Sequence, residues 1–343
     1  MAWYPVKFKT DAKIPALTGI AITTQPTKTE YNVGENFDPA GMVVTASYDN
    51  GDSRVVSSYT YSPKTFETAG TKTVTISYNE LGIVETAALT VNVKKEVKIV
   101  AWATGTDAEI AEMVAAADAG LINLADYWAI GQERKVNLSE MAATGVGESH
   151  AKQTVTMVLM HEGGYKLANG KTCSFVVGQK NGLTEPGYMN SANTNSGSWN
   201  GCARRNWCNS VYYNSFPAAL KPIFKKFKTI TAEVYDGTSL QTSEDMFALP
   251  AEREIFGEGY GYAGKGYSND TEAACKDLVQ FEYYYKTTTN RIKKAGDAGS
   301  DGTWWERSPN ARSNANFCNI SYGGSADRNG ASDAYLLAPF GCI

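Results

Sequence analysis

Trp304-Trp305-Glu306-Arg307-Ser308-Pro309 opens the last forty residues of this 343-residue chain and gives the strongest indication of its fold. Trp304, Trp305 and Arg307 can anchor a folded structure, together with Phe317 and Phe340 further along. Residues 310–335 between these anchors are rich in Gly, Ser and Asn, yet the chain ends in an apolar run. A disordered tail would lack that apolar end. The pattern therefore predicts polar loops that a terminal strand ties down.

The composition of this polar stretch is unusual. After Arg307 the chain has no Lys, Glu, Gln, Met or Trp. Every codon for these five residues ends in A or G, so none can arise from AAC or AAT by replacing adenines, whereas Asn, Ser, Tyr, Asp and Arg can. The stretch is typical of an Asn-rich template diversified at adenines, although an ordinary polar loop of chance composition stays open as the alternative.

The residue types of the stretch are those of binding surfaces. Tyr supplies a large, rigid contact area, and Ser and Asn supply adaptable hydrogen bonds. We therefore predict a variable binding face and no catalytic residues. Its candidate ligand-binding residues are Asn310, Arg312, Asn314, Asn316, Asn319, Ser321, Tyr322, Ser325, Asp327, Arg328, Asn329, Ser332, Asp333 and Tyr335.

Upstream of this stretch, from about residue 99, the pattern is mixed α and β. Thr106-x-x-Glu109 is a capping box that opens a helix. The apolar spacing predicts two more helices, over 220–227 and 278–285. Residues 153–160 and 173–178 are typical of strands.

Residues 15–95 have the pattern of an all-β unit. Residues 20–22, 42–48, 74–78 and 89–93 are rich in Val, Ile, Thr and Tyr, and the last two runs alternate cleanly. Turn-forming residues separate these runs, with no helical period between them. A small sandwich of immunoglobulin type is predicted.

Composition limits the remaining possibilities. Lys plus Arg number 32 against 36 for Asp plus Glu, a balance that argues against nucleic acid as a partner. No run approaches the ~20 apolar residues of a membrane helix, so no membrane insertion is expected, and the N-terminus lacks the pattern of a signal peptide. The chain has two His, and the dinucleotide spelling Gly259-x-Gly261-x-x-Gly264 lacks its strand and helix. We expect no cofactor and no metal.

The N-terminal unit resembles the bacterial immunoglobulin-like repeats of surface proteins and phage structural proteins. Such modules act as spacers or weak adhesive units, which implies a spacer role here. The resemblance is carried by Leu17–Ile22, Tyr31–Asp38, Gly41–Ala46 and Gly70–Tyr78.

Residues 99–343 resemble the C-type-lectin-fold variable proteins that a retroelement diversifies in phages and prophages. One departure is Leu336-Leu337, where many relatives have a Gly-Val pair before the ending. The matching stretches are Ile99–Thr106, Gly145–His150, Trp199–Arg205, Phe247–Glu252, Trp305–Pro309 and Gly341–Ile343.

Together the resemblances imply two domains, an all-β immunoglobulin-like sandwich followed by an α+β C-type-lectin-like (formylglycine-generating-enzyme-like) fold. The expected boundaries are an N-terminal segment 1–14, the first domain 15–95, and the second domain 96–343 with its variable region at about 304–343. The resemblance implies a phage or prophage receptor-binding protein, made in the bacterial cytoplasm and carried on the virion. Expected partners are a host-surface protein or glycan, other virion proteins through the N-terminal region, and a second copy in a homo-oligomer.

Two other functions remain open. One is a lectin-fold, metal-dependent oxidase-like enzyme, for which Cys318 and Cys342 would be the copper-binding pair. The other is a virion decoration protein without a binding function.

Overall fold

The computed structural model describes residues 13–147, 149–233, 239–257, 275, 277–310 and 313–343. The chain divides into two compact units, Met1–Val97 and Lys98–Ile343. The Gly259–Gly264 spelling and Arg312 lie outside the described residues.

The first unit consists of strands alone among its described residues. They form a three-stranded sheet in the order β1-β3-β4 and a four-stranded sheet in the order β2-β7-β6-β5. All pairs are antiparallel except β2 with β7. The strands are β1 (Leu17–Thr24), β2 (Glu30–Asn32), β3 (Val43–Tyr48), β4 (Ser53–Val56), β5 (Thr60–Ser62), β6 (Gly70–Glu80) and β7 (Ile83–Lys94).

Period-2 alternation explains the core of the first unit. Val74 and Ile76 on β6 are fully buried, as are Leu89 and Val91 on β7, while their neighbours in sequence are more exposed. Successive side chains of a strand point to opposite faces, so each strand gives one apolar face to the core. The four strands predicted from the sequence are all confirmed, in β1, β3, β6 and β7.

The second unit is mixed, with strands more numerous than helices among the described residues. Its strands are β8 (Glu133–Leu138), β9 (Gln153–Glu162), β10 (Phe175–Gln179), β11 (Phe227–Ala232), β12 (Leu240–Asp245), β13 (Lys293–Lys294), β14 (Asp301–Gly302), β15 (Trp304–Pro309), β16 (Asn316–Ile320), β17 (Ala326–Gly330) and β18 (Phe340–Cys342). Its helices are α1 (Asp107–Asp118), α2 (Ala203–Trp207), α3 (Tyr213–Ser215), α4 (Glu252–Phe256) and α5 (Glu282–Lys286), with a π-helical turn at Cys208–Tyr212. Short 3-10 turns lie at Leu124–Asp126, Lys221–Ile223 and Thr288–Arg291.

The sheets of the second unit bring the end of the chain into its core. The largest is antiparallel, in the order β18-β10-β9-β8, so the last strand pairs with β10 as the apolar ending predicts. A separate three-stranded sheet has the order β15-β16-β17. The pairs β11-β12 and β13-β14 complete the ladders.

The second unit contains most, but not all, of the helices and strands that the sequence predicts. Strands β9 and β10 confirm the predictions for 153–160 and 173–178. Helix α1 begins at the predicted capping box, in which Thr106 and Glu109 bond reciprocally. The helix predicted over 220–227 is wrong: only the turn Lys221–Ile223 forms, because Pro222 supplies no N–H for a longer helix, and Phe227 begins β11. The helix predicted over 278–285 is reduced to the single turn of α5.

Among the described residues, no helix has the length and apolarity needed to cross a lipid bilayer.

Candidate binding surface on the C-terminal hairpin

The site is built on β15, whose six residues are all buried. The indole N–H of Trp304 donates to the carbonyl oxygen of Arg291 at 2.8 Å, and that of Trp305 donates to Gly187 at 2.8 Å. A buried indole N–H needs such a partner to avoid the cost of desolvation. Both tryptophans are therefore fixed in position as well as buried.

Arg307 fixes the same strand through a buried ion pair. Its two terminal nitrogens donate to the two carboxylate oxygens of Glu254, each at 2.7 Å, and one also donates to the carbonyl oxygen of Leu249. Arg307 and Glu254 are both fully buried. This bidentate geometry is the strongest form of the interaction, and breaking it would leave a buried charge. The predicted anchoring role is confirmed for Arg307, as it is for the fully buried Trp304, Trp305, Phe317 and Phe340.

Asn195 holds residues 310–316 by bonding only to their main-chain groups. Its side-chain amide donates to the carbonyl oxygens of Ser313 at 2.6 Å and Asn316 at 2.7 Å, and lies 3.4 Å from that of Asn310. Its backbone N–H donates to the carbonyl oxygen of Asn314 at 3.0 Å. Asn195 is fully buried, so the N–H groups of its side-chain amide need such acceptors.

Backbone hydrogen bonds also hold the C-terminal part of segment 310–335. The backbone N–H groups of Met189 and Asn190 both donate to the carbonyl oxygen of Ala331, and Ala331 N–H donates to Ala315 at 2.8 Å. Gly187 N–H donates to the carbonyl oxygen of Tyr335 at 2.9 Å. Every residue type has a backbone carbonyl oxygen, so these particular contacts do not depend on the identity of the segment's side chains.

The fourteen predicted ligand-binding residues fall into three classes by exposure, with Arg312 not described. Asn314, Tyr322, Ser325, Asp327 and Asp333 are exposed, Tyr322 by 71%. Asn316, Ser321, Arg328, Asn329, Ser332 and Tyr335 are half-buried. Asn310 and Asn319 are buried.

Asn310 and Asn319 therefore do not lie on an exposed face, contrary to expectation. Both faces of β16 are covered, so every residue from Phe317 to Ile320 is buried. The side-chain amide of Asn319 donates to the side-chain oxygen of Asn329 at 2.8 Å, a bond between neighbouring strands. Buried and exposed side chains do not alternate along a strand when other parts of the protein pack against both of its faces.

The turn between β16 and β17 presents the most exposed side chain. Tyr322 projects from a turn that the backbone bond of Ser321 N–H to Ser325 closes at 2.8 Å. Gly324 has φ of +81°, and a Cβ there would lie 3.1 Å from Cγ1 of Ile292. The turn thus rests on Ile292 through a glycine, and Tyr322 remains exposed. Below, β16, β17 and this turn (residues 316–330) are called the C-terminal hairpin.

Three stretches that carry the C-terminal resemblance converge on one buried arginine. The guanidinium of Arg204 donates to the carbonyl oxygens of Val146 and of Tyr188, and packs over the ring of Trp207 at 4.7 Å. Burial lowers the pKa of Arg204 to about 10. Gly187, which receives the indole bond of Trp305, lies directly on this guanidinium and has no room for a Cβ. Arg204 and Asn195 were not predicted as key residues, because a single Arg or Asn carries no periodic signal.

The two histidines pack against aromatic rings. His150 is buried, lies 5.6 Å from the ring of Trp207, and has its Nδ1 3.3 Å from Glu185. His161 stacks on Phe281 at 6.1 Å. Burial lowers the pKa of both imidazoles, which favours their neutral forms.

All six cysteines are buried, and none of them forms a disulfide bond. Cys342 interacts with Cys173, while Cys318 lies with Glu252 and Glu306. Potential ligand atoms of these last three residues are within 4.8 Å of one another, an arrangement that could hold a cation. The proposed copper-binding cysteines, Cys318 and Cys342, thus belong to different side-chain clusters.

Comparison with known protein families assigns the N-terminal unit. Residues 24–93 match the family model described as Bacterial Ig-like domain (group 3). The first unit contains a bacterial Ig-like domain. The predicted immunoglobulin-like sandwich is confirmed.

The same comparison covers most of the second unit. Residues 175–340 match a family described only as a domain of unknown function, DUF6273. No curated protein matches the chain. The DUF6273 match includes the whole C-terminal hairpin and the residues that hold it, namely Asn195, Arg204, Glu254 and Arg307.

Proposed function

We propose that this chain is a binding protein that recognises its ligand through the exposed side chains of residues 310–335. The observation that carries the proposal is the way in which Asn195 and residues 187–190 hold this segment, through carbonyl and amide groups of its main chain. Such a scaffold tolerates different side chains at the exposed positions. A segment held this way is suited to change its specificity without changing its fold.

The composition of the segment supports a specific origin for that variability. The absence of Lys, Glu, Gln, Met and Trp after Arg307 is what replacement of adenines in Asn codons would leave. We therefore propose that a retroelement diversifies the segment, and that the second unit has the C-type-lectin-like fold of phage and prophage variable proteins. A second copy of the codons for 304–343, differing only at adenines and lying beside a reverse-transcriptase gene, would test this origin.

The biological setting we propose is attachment of a phage or prophage particle to a host or another surface. In that setting the Ig-like domain acts as a spacer, and the N-terminal region contacts other virion proteins. The ligand is a host-surface protein or glycan, bound by Asn314, Tyr322, Ser325 and their neighbours.

The experiment that tests the proposal measures binding of the fluorescently labelled full chain to a panel of intact Gram-positive and Gram-negative bacterial cells. The test variant replaces Asn314, Tyr322 and Ser325 with Ala. The matched control replaces Tyr285, Thr288 and Ser300, which are exposed but lie outside the segment. Neither set includes a residue that holds the hairpin, so both variants should fold.

We expect the wild-type chain and the control to bind at least one cell type, and the test variant to lose about tenfold or more in affinity. Equal binding by the test variant and the control would contradict the proposal. Absence of binding by the wild-type chain across the panel would favour a decoration protein without a binding function.

A further inference from the structure

The second unit has a cleft of about 1050 Å³ that contains no residue of the C-terminal hairpin. One wall is the edge strand β8 with its residues Glu133, Arg134 and Lys135. The lining also includes Tyr283 of α5 and several residues of the segment that follows it, as far as Asp301. Ligand pockets measure roughly 300–1,000 Å³, so the cleft is large enough for a ligand of several rings.

Asp297 joins three other residues of the cleft lining through its carboxylate. Its carboxylate accepts hydrogen bonds from Lys135 at 2.8 Å, Thr156 at 2.6 Å and Asn181 at 3.1 Å. Burial acts to raise the pKa of Asp297, but these three donors outweigh burial and keep that pKa below its ordinary value. Three groups from separate parts of the chain are thereby fixed around one anion.

Most of the cationic side chains that line the cleft form ion pairs. Lys135 pairs with Asp297, and Lys180 pairs with Glu133 at 2.7 Å. Arg134 pairs with Asp107, and Lys294 lies opposite Asp301 in the β13-β14 ladder. Three of the four cationic side chains of the described lining, those of Arg134, Lys135 and Lys180, therefore pair with a carboxylate. A cleft of this kind offers many donors and acceptors but little net field.

The rest of the lining is polar. Asn181, Asn290, Thr156 and Thr289 contribute amides and hydroxyls, and Tyr283 contributes an aromatic ring and a hydroxyl. The described residues offer no hydrogen-bonding partner to the Tyr283 and Thr289 hydroxyls. Protein partners bind through apolar and aromatic anchors in apolar pockets, and the only aliphatic side chains among the lining residues described are those of Ala103 and Ile292.

From this arrangement we infer that the cleft binds a neutral oligosaccharide. A sugar hydroxyl both donates and accepts hydrogen bonds, so it can pair with the ammonium, amide, hydroxyl and carboxylate groups that alternate around the cleft. A charged ligand would have to compete with the ion pairs that Arg134, Lys135 and Lys180 already make. A site built to bond hydroxyl groups also discriminates strongly, because its polar groups remain unpaired when the wrong ligand binds.

The cleft and the C-terminal hairpin are neighbours. Ile292, which lines the cleft, is the residue on which Gly324 of the hairpin turn packs. An oligosaccharide in the cleft can therefore extend toward Tyr322. The inference does not rest on the proposed function, because none of the described lining residues belongs to segment 310–335.

The experiment titrates the full chain with cellotetraose, maltotetraose, mannotriose and chitotriose as neutral probes, and with tetragalacturonate and chitosan tetramer as charged probes. Binding is measured by calorimetry and by saturation-transfer NMR. The cleft variant, Tyr283→Phe with Thr289→Val, removes two hydroxyls and keeps the side-chain shapes. The matched control, Tyr285→Phe with Thr288→Val, makes the same two changes on side chains outside the cleft.

We expect at least one neutral probe to bind with Kd below about 1 mM, and the cleft variant to weaken it about tenfold or more while the control does not. Hydrogen exchange of the wild-type chain supplies a readout that does not depend on variants. The bound probe should protect residues 133–135 and 289–301.

Binding of charged probes alone, no binding by any neutral probe, or equal affinity of the two variants would overturn the inference. Protection confined to residues 313–335 would overturn it as well, and would assign the sugar to the hairpin. Loss of cell binding on changing the hairpin, with cleft binding intact, would separate the two proposals.

Discussion

At the scale of single residues, the position of the C-terminal hairpin depends on a few buried polar side chains and on their hydrogen-bonding partners. Asn195 bonds three parts of the main chain, and Arg307 bonds Glu254 in a bidentate pair. These groups are expensive to leave unpaired, because burial removes the water that would otherwise replace the partner.

Asn195→Ala should lower the free energy of unfolding by about 2–4 kcal/mol, because carbonyl oxygens of residues 313 and 316 lose a buried donor. Chemical denaturation of the full chain measures the change. Asn206→Ala is the control, since Asn206 is exposed and its loss should stay within about 0.5 kcal/mol. Equal effects of the two substitutions would show that the amide of Asn195 does not hold the segment.

Lys293 is a buried lysine that contacts Trp304 of β15. Its ammonium donates to the carbonyl oxygens of Gln179 and Lys180, each at 2.9 Å, and lies 4.8 Å from the ring centroid of Trp304. Burial lowers the pKa of Lys293 to about 7 from its ordinary 10.5. Tyr284, the titratable group that faces it, has its pKa raised by burial and stays neutral in this range.

Between about pH 7 and pH 10.5 the unfolded chain therefore binds more protons at this lysine than the folded chain does. The contribution of Lys293 to the free energy of unfolding should rise with pH in that window, by at most about 1.4 kcal/mol per pH unit. Denaturation at pH 7.5 and 9.5 should show this rise in the wild-type chain and in the exposed-neighbour control Lys294→Met. In Lys293→Met the rise should be smaller, and an unchanged pH dependence would contradict the prediction.

At the scale of elements, the three-stranded sheet β15-β16-β17 changes from fully buried at β15 to partly exposed at β17. Strand β15 is buried along its whole length and β16 is nearly so, whereas β17 and the turn before it are partly or fully exposed. One small sheet therefore contributes to the core through β15 and β16 and presents exposed side chains on β17 and its turn.

The glycines of the turn should differ in their response to substitution. Gly324 has positive φ and packs on Ile292, whereas a Cβ at Gly323 meets open space. Gly324→Ala should lower the free energy of unfolding by about 1–3 kcal/mol, and Gly323→Ala should change it by less than about 0.5 kcal/mol. Thermal denaturation of the two variants side by side checks this difference. A similar cost for both would mean that contact with Ile292 does not define the turn.

At the scale of the whole molecule, the chain is divided into two units that each have a core of their own. The Ig-like unit buries residues from both of its sheets, and the second unit buries four tryptophans to less than 2% exposure. Units of this kind can fold as separate fragments.

Fragments 13–97 and 98–343 should therefore each unfold cooperatively when produced alone. Far-ultraviolet circular dichroism followed through thermal denaturation measures this for both. A fragment without a cooperative transition would show that its core depends on the rest of the chain.

The sequence by itself determined the features that depend on neighbours along the chain. Alternation predicted β6 and β7, Thr106 and Glu109 predicted the start of α1, and the aromatic and Arg anchors of β15 were named correctly. These patterns succeed because each is set by local geometry. The prediction over 220–227 failed where Pro222 and pairing with β12 outweighed a helical spacing.

Only the tertiary structure decided which polar residues are exposed and what holds them. Asn310 and Asn319 have the same side chain as Asn314, yet cover on both faces buries them. Asn195 lies more than a hundred residues from the carbonyl groups it bonds, and the cleft draws its lining from segments scattered between residues 103 and 301. Burial and pairing between distant segments are properties of the folded chain, so no local pattern in the sequence could predict them.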